Sequence, residues 1–188
     1  MSRLAGRVVG SVVLTLCLAT QGAAQDGGSR RHGFWFNIGF GYGTADFNCD
    51  NCGDTSRDGS ATANLALGGT LSEQFLLGVE SDGWYKKESG VHNLLGNFTL
   101  AGYFYPSAKG DFFLKGGVGS ASYLFSNGSL EDDNGLGFMA GAGYDIAIGR
   151  KTSLTPTVAF NFGTMGDHQG RRSVTINWLQ LGASLTLH

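Results

Sequence analysis

From Gly33 onward the chain alternates. Apolar side chains recur at every second position, the period of a half-buried β-strand, and not at the spacing of an amphipathic helix. In the first such segment Phe34, Phe36, Ile38, Phe40 and Tyr42 share one face, and Trp35, Asn37, Gly39, Gly41 and Gly43 share the other. The same pattern returns over residues 61–68, 75–82, 94–104, 112–119, 136–146, 154–163 and 178–187. The count is eight strands of about ten residues each, enough for a tilted strand to cross a bilayer. Pro156 interrupts the seventh segment and has no N–H for a ladder, so a bulge is expected there. The connections alternate as well. Those near 46–59, 86–90, 126–134 and 166–172 are polar, whereas those near 71–74, 107–110 and 149–151 are tight turns. An up-and-down antiparallel barrel with loops at one end and turns at the other accounts for this alternation.

The two faces differ in kind. One is large, apolar and nearly uncharged along all eight segments. The other is mostly Gly, Ala, Ser, Thr and Asn, with a few charges. A soluble barrel of lipocalin type would turn its apolar face inward and cover its outside with Lys and Glu; Gly33-Phe34-Trp35 matches the Gly-x-Trp of such barrels, but only over three residues. Small residues suit the crowded inside of a narrow barrel, and an uncharged large-residue face suits lipid. The pattern therefore predicts an all-β, eight-stranded, antiparallel up-and-down transmembrane β-barrel. Closure satisfies every backbone group without water and leaves no edge strand.

The first residues read differently. Arg3 and Arg7 precede a mostly apolar stretch over 8–19, and Gly22-Ala23-Ala24 offers small residues for cleavage. This predicts a signal-peptide helix over 1–24, a short tail over 25–32 and the barrel over 33–188. Leu16 before Cys17 does not fit a lipidation site. Loss of Arg3 and Arg7 leaves 11 basic and 15 acidic residues, a net charge of −4. Composition agrees: 32 glycines among 188 residues, 12% aromatic, 15% charged and only two prolines exclude collagen-like and disordered chains. A pI near 6 gives no electrostatic case for nucleic acid.

Taken with the terminal segment Trp178-Leu179-Gln180-Leu181-Gly182-Ala183-Ser184-Leu185-Thr186-Leu187-His188, these features resemble the small outer-membrane β-barrel family of OmpA/OmpX type. The resemblance spans residues 33–187. It implies residence in the bacterial cell outer membrane, contact with outer-membrane lipid, insertion by the barrel assembly machinery, an unidentified extracellular partner at the loops, and no cofactor. Family members usually end on an aromatic residue read by that machinery; this chain ends Leu187-His188.

Candidate chemistry is sparse. Glu80, Asp82, Lys115 and Asp145 have inward parity, and charges inside a narrow barrel must be paired or hydrated. Lys115 is expected to bridge Glu80 or Asp82, giving either a plug or an ion gate. Eight strands enclose a space that side chains fill, which favours the plug. Cys49 and Cys52, in the first long loop, form a disulfide in the expected reading; free thiols or a metal or redox role are the alternatives. The acidic residues Asp46, Asp50, Asp54, Asp58 and Glu131-Asp132-Asp133 read as a solvated rim, with a cation site as the alternative. Arg171 and Arg172 are placed to meet anionic outer-leaflet lipid. Trp35, Trp84 and Trp178 have inward parity and are expected to cap the lumen, while Phe34, Tyr42, Tyr85, Phe104 and Phe112 suit interfacial girdles. Of the histidines, His92-Asn93-Leu94 and His168-Gln169-Gly170 lack the His-x-Ser of the barrel-shaped lipid A deacylases, and no catalytic residues are expected. The functional reading is a structural or surface-interaction barrel. A narrow channel for ions or small solutes is the alternative, with a lipid hydrolase or a lipocalin-like barrel behind it.

Overall fold

The computed structural model describes residues 31–49, 57–88, 91–126, 130–165 and 174–188. The expected signal peptide and most of the tail lie outside them. The described chain is a single antiparallel sheet closed on itself. Its strands are β1 (Phe34–Cys49), β2 (Asp58–Ser72), β3 (Phe75–Glu88), β4 (Val91–Phe104), β5 (Phe112–Ser126), β6 (Leu130–Tyr144), the two-residue β7 (Ile146–Ala147), β8 (Thr152–Met165) and β9 (Val174–Leu187). Each long strand pairs with its neighbours in sequence. β1 pairs β9, and β6 pairs β8, so the wall has eight strands and no open edge.

The register fixes the size of the barrel. From Tyr42 it runs through Ala61, Tyr85, Leu94 and Leu124 to Asp132 of β6. In the other direction it runs through Leu181 and Val158 to Ala142 of β6. The two arrivals, at 132 and 142, are ten residues apart, so the shear is ten. Eight strands with that shear tilt by about 40° from the barrel axis, and the interior is wide enough only for side chains.

Alternation sorts the side chains. Phe34, Ile38, Phe40 and Tyr42 of β1 point out, with Phe40 at 71% exposure, while Trp35 and Asn37 are buried. The same holds around the wall, from Leu65 and Leu67 to Phe138, Phe160, Leu181 and Leu185. A belt this large and apolar has no place in water. It runs from Phe34, Phe75, Phe104, Phe112 and Leu187 at the turn end to Tyr42, Tyr85 and Leu136 toward the loop end. On β1, nine tilted residues from Phe34 to Tyr42 span about 23 Å, close to the apolar height of such barrels.

The strands are longer than the hydrophobic pattern. Asp46 and Cys49 were expected in a loop, but β1 continues through both and pairs with Asn177 and Val174. Asp58, Lys86 and the run Glu131-Asp132-Asp133 are likewise strand residues. Above the belt both faces are polar, so alternation loses its contrast, yet backbone pairing continues. The expected bulge at Pro156 is absent. β8 keeps one register with β6 and β7, from Gly143↔Thr157 to Ile146↔Leu154, but the pairing lapses opposite Pro156 and Thr155. The missing N–H produces a gap in the ladder and not an extra residue.

Candidate functional site

The interior has three layers. At the turn end Trp35, Leu76, Tyr103, Tyr105 and Phe113 form an aromatic cluster, in which the Trp35 and Tyr103 rings meet edge to face at 4.8 Å. At the loop end Trp84, Leu95, Ile176 and Trp178 pack with Ala45, Ala121 and Met165. Both clusters follow from inward parity. The Trp84 indole N–H donates to the Gly43 carbonyl at 3.1 Å, so burial leaves its donor satisfied.

Between the two apolar layers lies the polar one. Glu80 is fully buried. Its Oε1 accepts a short contact from Lys115 Nζ, and its Oε2 accepts the Tyr103 hydroxyl at 2.5 Å. The pair spans β4, with Lys115 opposite Tyr103 in register and Glu80 opposite Thr99. Asp82 takes a different partner: Gln180 Nε2 donates to its Oδ1 at 2.5 Å, and Gln180 Oε1 accepts the Trp178 indole N–H at 3.2 Å. Asn97 Nδ2 donates to Asn161 Oδ1 at 3.0 Å.

Asp145 does not join Lys115. It sits between β6 and β7, where the ladder lapses, and accepts Thr155 at 2.7 Å and Tyr105 at 2.8 Å, with His188 Nε2 at 3.6 Å. Burial first, and then the Asp145 carboxylate beside it, push the Tyr105 hydroxyl well above its ordinary range, so it remains a donor. A chain of polar contacts continues from Thr155 to Thr186, from Asn37 to Thr186 and Ser184, and from Asn64 to Asn37. Near Trp35, Asn37, Tyr103, Tyr105, Asp145 and His188 a space of about 10 Å³ remains. It has room for at most one water.

The hydrophobic pattern misses Arg31, because that residue precedes the first strand. It is 4% exposed. Its Nε donates to the Glu73 carbonyl at 3.1 Å and a terminal nitrogen donates to the Ala108 carbonyl at 2.6 Å. The guanidinium lies 3.9 Å from the Tyr105 ring centroid and 4.0 Å from Asp111. One cation thus ties the β2–β3 and β4–β5 turns beneath the aromatic layer. Arg31→Ala is expected to cost about 2 kcal/mol, the scale of lost charge-assisted hydrogen bonds. The change should appear as a lower urea midpoint and faster tryptic cleavage after Lys109.

Gln180 and Asn37 were legible as inward polar positions, although their partners were not. Of the remaining expectations, Cys52, Asp50, Asp54, His168, Arg171 and Arg172 lie outside the described residues, so the Cys49–Cys52 bridge does too. His92 Nδ1 sits 2.8 Å from the Tyr85 hydroxyl on the outer wall.

Closed antiparallel wall, shear, apolar belt and filled lumen together decide the architecture. The fold is that of the small outer-membrane β-barrels. Two solved members of that group are similar to this chain. The attachment invasion locus protein Ail of Yersinia pestis is 15% identical with a TM-score of 0.56, covering 83% of this chain and 99% of its own. Neisserial surface protein A is 14% identical with a TM-score of 0.55, covering 86% of this chain and 99% of its own. No family model and no curated protein matches the sequence. What the small outer-membrane barrels share with this chain is therefore backbone architecture, with side chains largely replaced.

Proposed function

We propose that this chain is an outer-membrane anchor: a side-chain-filled barrel, held by lipid and inserted by the barrel assembly machinery, that presents its four long connections at the cell surface for a partner. It works without catalysis. The observation that carries this reading is the fully buried layer of Trp84, Leu95, Ile176 and Trp178 at the loop end of the lumen. Solute passing along the axis would have to cross that layer and the Lys115–Glu80 pair beneath it. The belt supports lipid contact, and strands that continue above it support a rigid mount for the loops. The names of the two solved relatives, an attachment and invasion protein and a surface protein, fit a role at the cell surface.

Planar-bilayer recording tests this. Refolded wild-type protein, checked by its mobility shift on boiling, should give no unitary conductance. Trp84→Ala with Trp178→Ala should raise leak while keeping the shift. Discrete, ion-selective steps from the wild type would instead favour the narrow channel.

A further inference from the structure

The turn end of the barrel carries cations that the interior does not use. Lys109 lies in the β4–β5 turn, and Arg150 and Lys151 lie in the β7–β8 turn; all three are exposed. None makes an ion pair among the described residues. Of the carboxylates at this end, Asp111 is engaged by Arg31 and Asp145 by Tyr105, Thr155 and His188. These two turns flank the wall of β5, β6 and β7. That wall ends at the same rim in Phe112, Tyr144, Ile146 and Ile148, exposed at 46%, 48%, 46% and 60%. Phe112 and Tyr144 are register partners, so the apolar edge is continuous. Apolar side chains in the belt with unpaired cations one turn beyond them match the cross-section of an anionic lipid: acyl chain against the wall, phosphate against the cation.

Charge is distributed accordingly. Away from this arc, Glu73 is the exposed charge of the β2–β3 turn. At the opposite rim the described cations Arg57 and Lys86 are engaged by Asp46 and Asp58, while Lys87 is exposed. Of the four exposed lysines and arginines that make no ion pair among the described residues, Lys87, Lys109, Arg150 and Lys151, three are thus gathered on one arc of the turn end.

We propose that this arc is a docking site for anionic glycerophospholipid of the periplasmic leaflet, with Lys109, Arg150 and Lys151 binding the headgroup phosphate and Phe112, Tyr144, Ile146 and Ile148 holding the chains. The site rests on the outer-membrane reading, which places the turns in the periplasm. It fixes the depth and rotation of the barrel in its leaflet.

The test uses the full-length mature chain refolded in phosphatidylcholine vesicles with trace spin-labelled phosphatidylglycerol or spin-labelled phosphatidylcholine. The fraction of each label immobilised by the protein gives a relative affinity. Phosphatidylglycerol should be favoured several-fold at low salt, and each of Lys109→Gln, Arg150→Gln and Lys151→Gln should remove part of that preference. The triple variant should lose it while keeping its shift on boiling. Lys87→Gln at the loop end should change nothing. Equal immobilisation of both lipids around a folded barrel overturns the site, as does a preference that Lys87→Gln removes. Competition by inorganic phosphate or by soluble peptidoglycan fragments, with no lipid preference, would assign the cations to a different anion and overturn it as well. Absence of any boiling shift in the wild type would instead sink the membrane-barrel reading itself.

Discussion

Replacing Lys115 with methionine should destabilise the folded barrel by about 3–5 kcal/mol, the cost of leaving a buried carboxylate without its counter-charge. Methionine keeps most of the volume, so the loss reports charge and not a cavity. Among the described residues Glu80 has no alternative cation within the layer: its remaining donor is the Tyr103 hydroxyl, and Asp82, next along the same face, is another buried carboxyl group. Lys115→Met combined with Glu80→Gln should recover most of the loss, because the neutral amide retains the Tyr103 hydrogen bond and needs no partner ion. Urea unfolding in vesicles, followed by the unboiled gel band, measures both. A single variant as stable as the wild type would mean that the pair contributes no net stability and that water reaches the layer.

Substitution of Gly41 by valine should do similar damage for a steric reason. A Cβ at Gly41 would lie 2.3 Å from the Leu181 carbonyl oxygen and 2.7 Å from the Gly182 Cα. Both are backbone atoms of the neighbouring strand at the seam that closes the barrel, and they cannot swing aside. The cost should be about 3 kcal/mol, at the upper end of overpacking. Gly69→Val is the control: a Cβ there meets nothing within 4 Å. The ratio of shifted to unshifted band after refolding should fall for the first variant and hold for the second. Equal yields would show that β1 and β9 have more freedom than their register implies.

These two sites show what the sequence makes legible. Parity along β3 and β5 is enough to place Glu80, Asp82 and Lys115 inside, because burial on a tilted strand follows a period of two. The choice of partner is not, since it depends on shear: a register shifted by two residues would bring Lys115 nearer Asp82. Asp145 also has inward parity, but it sits at the rim, where the ladder lapses opposite Thr155 and Pro156 and lets neighbouring hydroxyls reach it. The ends of the strands were hidden for another reason. From Asp46 to Cys49 neither face is consistently apolar, so the signal that defines a strand in lipid fades where the strand leaves it. Arg31 had no periodic context at all.

The seam between β1 and β9 has a consequence for how the molecule comes into being. These strands lie at opposite ends of the described chain, yet Cα partners join them from Phe36↔Leu187 to Cys49↔Val174. Every other ladder in the wall except this one links strands that are consecutive or nearly so. A ribbon of β1 to β8 would therefore assemble from local hairpins and still expose two raw edges, each with a row of unsatisfied amides and carbonyls facing lipid. Such a ribbon is a poor resting state, since the strand that fits both its edges is β9. Folding is in this sense a single act of closure, and loss of β9 would forfeit the whole enclosure and not one strand's share of it.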